Sequence, residues 1–535
     1  MGAGRGLGRT VMPGVRARYR FGPLERRGLI AGWRGGQIAV VAAGAVAAIM
    51  VLHRRQTLPA IGVAVFLVAV SIALAWWPIA GQTADQWLPT VVRWGASGLA
   101  GIRCRRTGVE AAGHCLGPDG APCLVASGRA NGPTGHAGYR AAAGRRPLPG
   151  APWSRSARAV HGAFAGLGVL GFGARKGEDI VAVVHDEHAR TYTAVMELLG
   201  HSFALLSGDE KERRVASWAS VLSSLARERS VVHRVQWVAA TMPDDGAAIS
   251  GHLRSRGVLS EDAPPRRSYA TLLRSAGGET CRHDVHLAVQ LRAAGATARA
   301  MRSLGGGDRA ACALLAREVT LLRQQLAAAD VPVERVLDER ELAAIVRRAL
   351  DGDERTRGAC PPCGIAWPWP LVTQGAWGAL RADGNWHATY WVAEWPRVDV
   401  GPEFLSPLLL GTVRRRVSVV MEPINPARAV RQAERARTAD VADAELRRRG
   451  GFLATARRAR EAEVAARREA ELADGHASFR FSGYVCVSAP TPEQLGAACD
   501  STEQAASQCR LELRRLYGDQ ERAFTCTLPL GRGLA

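Results

Sequence analysis

Chemistry in this chain would have to come from a few clusters of titratable and nucleophilic side chains. His185-Asp186-Glu187-His188 sets two imidazoles and two carboxylates in one polar turn, the donor types that hold a divalent cation. Without a third imidazole or a regularly spaced cysteine, the set reads as an exposed hairpin tip. Cys360-Pro361-Pro362-Cys363 has the CxxC spacing of a redox pair or half a zinc site, but no second CxxC accompanies it, which favours a loop with two incidental thiols. Cys104, His114, Cys115 and Cys123 are irregularly spaced in Gly-rich sequence and make a poor zinc set. Glu471, Asp474 and His476 bring two carboxylates and an imidazole together at a helix-to-strand junction, where acid-base chemistry is conceivable. The plainer reading is that Asp474 and Gly475 end the helix and His476 packs under it. A phosphate-cradling loop needs Lys followed by Ser or Thr; the chain's two lysines, Lys176 and Lys211, precede Gly177 and Glu212. HExxH, GxSxG and GxGxxG-with-acid constellations are missing too. The expectation is a protein that is not an enzyme, with no catalytic residue, cofactor or metal.

The elements that would position anything else begin with two apolar runs, Ile38 to Leu52 and Leu58 to Trp77, separated by His53-Arg54-Arg55-Gln56-Thr57. The second holds 20 residues without a charge; at ~1.5 Å per residue this is about 30 Å, the thickness of a bilayer core. The first is shorter, and the apolar Gly28 to Trp33 before it allows a longer tilted span interrupted by Arg34. Two transmembrane helices are therefore expected over 38–80. Of the formal charge of +21, the first 150 residues hold 14 units: 18 arginines against Glu25, Asp85, Glu110 and Asp119. Charge so placed suits a plasma-membrane protein with both termini cytoplasmic and arginines against anionic lipid. Arg54 and Arg55 then lie on the far side and snorkel to the interface. Residues 1–37 read as a basic cytoplasmic arm. Trp76 and Trp77 fit a membrane interface, as do Trp87 and Trp94, which with Val91 form one stripe of an amphipathic interfacial helix over 81–98. A core helix of the soluble part is the competing reading of that stripe. Residues 99–152, rich in Gly, Pro and Arg, read as a linker.

From Trp153 the pattern is globular. Strands are expected at 179–185, 190–199, 231–241 and 283–291, with helices at 210–229, around 269–273, at 308–328 and at 339–350. This order predicts an α+β fold with a mixed, ferredoxin-like sheet over 153–350. A second α+β subdomain, 367–535, carries strands at 386–395, 417–422, 479–488 and 523–529 and a helix over 492–516. Asn425-Pro426 opens a helical excursion, 425–473, broken at Gly450-Gly451. Its arginines, Arg447, Arg448, Arg449, Arg457 and Arg458 among them, are a solvated face or a partner-docking surface.

The segment Arg20 to Gly28 with the paired spans is similar to an actinobacterial integral membrane family of conjugation, or type IV secretion-like, gene clusters. It also resembles the small two-helix inner-membrane subunit of type IV secretion. Trp218 to Leu225, Val235-Gln236-Trp237, Pro243 to Gly246, Glu471 to His476, Phe479 to Tyr484, Leu516 to Gln520, Phe524 and Leu528 to Gly533 resemble the non-catalytic N-terminal domain of the type IV secretion ATPase. The ATPases continue past that last segment into a motor domain and this sequence does not, so the resemblance implies a non-enzymatic inner-membrane scaffold that docks a separate ATPase. It carries over no catalytic residue. Two alternatives stand beside it: a core membrane subunit of the type VII (ESX) apparatus similar to EccE, and a membrane-tethered DNA-handling protein. A homo-oligomer is compatible with each.

Overall fold

A computed structural model describes residues 35–54, 57–76, 84–99, 104–106, 153–155, 162–173, 181–199, 203–228, 230–244, 263–276, 281–351, 369–370, 372–449 and 456–533. Three helices lead: α1 (Gly35–Arg54), α2 (Leu58–Trp76) and α3 (Ala84–Leu99). Two short strands, β1 (Cys104–Arg106) and β2 (Trp153–Arg155), precede the body. A first series comprises β3 (Leu167–Phe172), β4 (Val181–Asp186), β5 (Thr191–Leu198), α4 (Gly208–Leu225), β6 (Val232–Pro243), α5 (Pro264–Ala276), β7 (Cys281–Arg292), α6 (Gly295–Ser303), α7 (Gly307–Ala328), β8 (Val333–Val336) and α8 (Glu339–Asp351). A second comprises β9 (Val372–Gly375), β10 (Leu380–Ala382), β11 (Asn385–Glu394), α9 (Ser406–Leu409), β12 (Arg415–Ile424), α10 (Pro426–Arg449), α11 (Ala456–Ala473), β13 (Ser478–Ala489), α12 (Pro492–Gln508), β14 (Glu512–Arg515) and α13 (Gln520–Thr525).

The strands join one 14-stranded sheet in the order β1-β9-β10-β11-β13-β12-β6-β7-β5-β4-β3-β2, with β14 beside β11 and β8 beside β5. Outward from the β6–β12 seam the two halves are the same. Each runs from a long strand to its returning partner, then to three strands of a meander and an edge piece from the N-terminal part of the chain. The fold is therefore an internal duplication about a pseudo-twofold at the seam, where Val238 pairs with Ser418. The α+β architecture agrees with expectation, whereas the recorded pairings are antiparallel rather than mixed. The physical reason lies in the helical segments between β6 and β7 and between β12 and β13. They return the chain to the neighbouring strand as very long hairpin loops, not as crossovers.

Helices cover both faces, so the central strands are buried twice over, and every residue of β5 is buried. On one face Leu287, Val289 and Leu291 of β7 meet Leu314, Leu315, Leu322 and Leu326 of α7 and Val221 and Leu225 of α4. The same face continues through Trp237 to Tyr390, Val485 and Val487 under Leu495 and Cys499 of α12. The caps are those the sequence supplies: Ser207 accepts the Glu210 N–H, and Thr491, with Pro492 behind it, accepts that of Gln494.

The other face holds α8, α13 and the last described segment. Residues 523–529, expected as a strand, are the end of α13 followed by an irregular run. Likewise α12 stops at Gln508, Arg510 turns the chain with φ +57°, and β14 follows. The irregular run has no ladder. Gln236 supplies one instead: wholly buried, it accepts the Gly531 N–H at 2.7 Å, and its Nε2 lies 2.9 Å from both the Cys526 and Leu528 carbonyls and 2.8 Å from Ser418 Oγ. Gln520 does the same for β11, accepting the Thr389 N–H at 2.8 Å and donating to its carbonyl at 3.1 Å. Gly531, with φ +69°, comes so near Gln290 that a Cβ there would lie 2.3 Å from the amide nitrogen. Arg532 then closes on Asp186 at 2.6 Å.

Gln236→Leu leaves these backbone groups unpaired in a buried site. It should lower unfolding stability by about 3 kcal/mol, whereas Thr491→Ala should cost only about 1 kcal/mol; chemical denaturation of the detergent-solubilised protein reads both. Burial pulls His286 and His387 below their ordinary value of 6.5, with Arg416 and Arg414 adding to the effect at His387. Both imidazoles are thus neutral in the fold, while the unfolded chain takes up protons below that value. Their contribution is complete above 6.5 and is lost as pH falls through it. A melting temperature that drops between about pH 7 and about pH 5, less steeply in His387→Gln, is the expected result.

Candidate membrane-docking site

Helices α1 and α2 are long and apolar enough to cross a membrane. They pack through small side chains at intervals of four and seven: Gly44 and Ala48 against Ala60, Ala64, Ser71 and Ala75, of which all but Gly44 are buried. A Cβ on Gly44 would stand 2.4 Å from the Ser71 Cβ, so the backbones touch where glycine permits it. The Ser71 hydroxyl satisfies itself on the Val68 carbonyl at 2.8 Å, and Gln37 at the start of α1 donates to Ala75 at the end of α2 at 2.9 Å. Large side chains such as Ile49, Met50, Val65 and Phe66 point outward. The pair is thus a hairpin with small side chains inside, large apolar ones outside and both its ends on one side.

Helix α3 joins that side to the body through an aromatic clamp. The Trp87 ring stacks on Trp377 at 5.7 Å and lies 5.9 Å from Tyr517, and Trp94 meets Trp377 edge-on at 5.6 Å. Arg93 pairs with Asp519 at 3.3 Å. The receiving loop is held by a 2.7 Å bond from the Gly518 N–H to the Trp377 carbonyl, with Gly518 at φ +71° and too close to Thr90 and Trp377 for any side chain. Trp87 and Trp94, expected at a membrane interface, thus turn onto the body. Their spacing was legible, but the partners lie far along the chain and could not be read from it. The side chains of Trp76 and Trp77 lie outside the described residues.

The remaining candidates separate. Arg448 and Arg449 both bond Glu445 on their own helix, at 3.0 Å each, and these bonds hold the Glu445 carboxyl below its ordinary value. Arg437 reaches Glu469 across the α10–α11 pair. The side chains of Arg447, Arg457 and Arg458 are outside the described residues, as are those of Cys104, His114, Cys115, Cys123, Cys360, Cys363 and Lys176. His185 stacks on Tyr192 at 4.5 Å, and Asp186 is taken by Arg532. Gly475, at φ +88°, ends α11 in the expected left-handed turn, but His476 is exposed rather than packed beneath it. Arg414 and Arg416, which sequence did not single out, cap the last turn of α8 by donating to the Arg348 and Ala349 carbonyls at 3.0 Å. Among the described residues no three His, Cys, Asp or Glu side chains gather as a metal site.

Gly44→Leu should prise α1 from α2 and lower the melting temperature in detergent micelles, whereas Gly62→Leu, at a position with open space around it, should not. Trp377→Ala should open α3 to limited proteolysis while leaving the first half of the sheet protected against hydrogen exchange.

Residues 280–392, from β7 to β11, match the family model described as "Putative type VII ESX secretion system translocon, EccE". The match covers about a fifth of the chain. No curated protein matches. The likeness and the two apolar helices together describe a membrane protein of a secretion system.

Proposed function

We propose that the chain is an EccE-like core membrane subunit of a type VII secretion apparatus, working by binding rather than by catalysis. The observation that carries this reading is the family match over 280–392, with two apolar helices ahead of it. It displaces the type IV reading, which rests on the resemblances of the front end and the body alone and finds no support in the match. The α1–α2 hairpin anchors the subunit in the plasma membrane. Its two ends meet where Gln37 bonds Ala75, and the basic flanks support a reading in which that side, with the body and both termini, faces the cytoplasm. The partners on this reading are the other membrane subunits of the machine, including the separate polypeptide that supplies ATP hydrolysis. Anionic lipid would meet the basic flanks, and DNA is not called for.

The test is affinity purification of the full chain from detergent-solubilised membranes of its native host, followed by mass spectrometry. Type VII membrane subunits and their ATPase should co-purify, and deletion of residues 35–76 should abolish both recovery and secretion of type VII substrates. Recovery of conjugation components instead, or secretion unaffected by loss of the gene, would sink the reading.

A further inference from the structure

Helix α3 carries a second stripe that the clamp leaves bare. Leu88, Val91 and Val92 are 60%, 48% and 61% exposed. At about 100° per residue they centre roughly 120° around the helix from Trp87, Thr90 and Trp94. Because the aromatic stripe is fixed on Trp377 and Tyr517, the aliphatic stripe cannot rotate inward. Bare aliphatic side chains elsewhere on the outer helices, such as Val430 and Val441 of α10, stand singly among charged residues; on α3 they form one strip.

We propose that this strip lies in the headgroup–acyl boundary of the bilayer, so that α3 works as a two-sided seat: lipid on the Leu88–Val91–Val92 side, protein on the Trp87–Trp94 side. Three observations select lipid over a protein partner. Helix α3 touches both α1 and α2 and starts only a short connection after α2 ends, which keeps it at the mouth of the hairpin. The outer surfaces of α1 and α2, which α3 follows in the chain, are themselves apolar and bare, Val65 and Phe66 among them. The strip itself carries no charge, and the neighbouring Arg93 is occupied by Asp519, while the basic excess of the first 150 residues lies on the flanks, where anionic headgroups would meet it. The inference deepens the membrane reading above and rests on it. Its added content is that the body is held at a fixed attitude to the bilayer rather than tethered loosely below it.

The experiment uses the full chain in nanodiscs of phosphatidylcholine and phosphatidylglycerol, with an environment-sensitive fluorescent amino acid encoded singly at position 66, 88, 92 or 321. Lipids brominated on the acyl chains serve as quenchers from the bilayer, and iodide serves as the quencher from water. Labels at 66, 88 and 92 should lose at least half their intensity to brominated lipid, and the label at 321, on the bare side of α7, should lose intensity only to iodide. If 66 is quenched by lipid but 88 and 92 respond to iodide alone, the seat is wrong and the membrane spans stand. If 88 and 92 are shielded from both quenchers, a protein covers the strip and the proposal is likewise overturned. If 66 itself is untouched by brominated lipid, the transmembrane reading falls with it.

Discussion

One buried amide holds the two halves of this protein to a common lid. Gln236 sits at the β6–β12 seam and satisfies the backbone of the segment from Cys526 to Gly531, which crosses the sheet without a strand partner. A polar side chain in a wholly buried position is tolerated only when its hydrogen bonds are complete, and here both ends of the amide are engaged. The crossing segment in turn brings Phe524, Leu528 and Leu530 against Phe164, Trp369 and the inner residues of α8. Those contacts seal a face that would otherwise expose Ala182, Val184, Val195 and Ala288. Gln290 and Thr193 extend the same solution along the run by donating to the Leu530 carbonyl. In place of a ladder, side chains from three separate strands, β5, β6 and β7, read out an irregular backbone.

The duplication explains why this lid is needed. Each half alone has one face packed by its own helices, α4 and α7 or α9 and α12. The opposite face is covered by α8 on one side and α13 on the other, each following the short strand that closes its half. The coverings are unequal. Helix α8 has 13 residues with Leu342, Val346 and Leu350 turned inward, whereas α13 has six, and the irregular run makes up the difference. Excess charge at the end of α8 is absorbed locally. Arg414 and Arg416 cap its last carbonyls, and the Arg416 guanidinium lies over the Phe524 ring at 4.9 Å.

Much of this was legible in the sequence because hydrophobic period speaks for itself. The apolar runs became α1 and α2, and the long helices and the long central strands fell near their expected places. Three things were hidden. The duplication is a matching order of elements, so it appears when pairings are known and not before. Strands β8 and β14 have four residues each, too few to alternate. Residues 523–529 looked like a strand because Phe524 and Leu528 are apolar, but the helix α13 takes the first of them and the run that follows hydrogen-bonds to side chains, which no periodicity reveals. The clamp on α3 was half visible: the tryptophan spacing announced a stripe, and only the position of Trp377 and Tyr517 says what the stripe touches.

The grip of α3 falls at the β9–β10 margin of the sheet, not at its middle. Along the sheet, strands are therefore ranked by order from that margin, with the second half first and the first half last. The sheet is not a flat ribbon, however: Phe164, just ahead of β3, lies 6.1 Å from Trp369, just ahead of β9, and Arg347 of α8 bonds Asp383 beside β10 at 2.7 Å, so the far strands curl back toward the near ones. A body so curled and gripped at one margin follows the α3 seat as a single piece, because its two ends are tied to each other through α8.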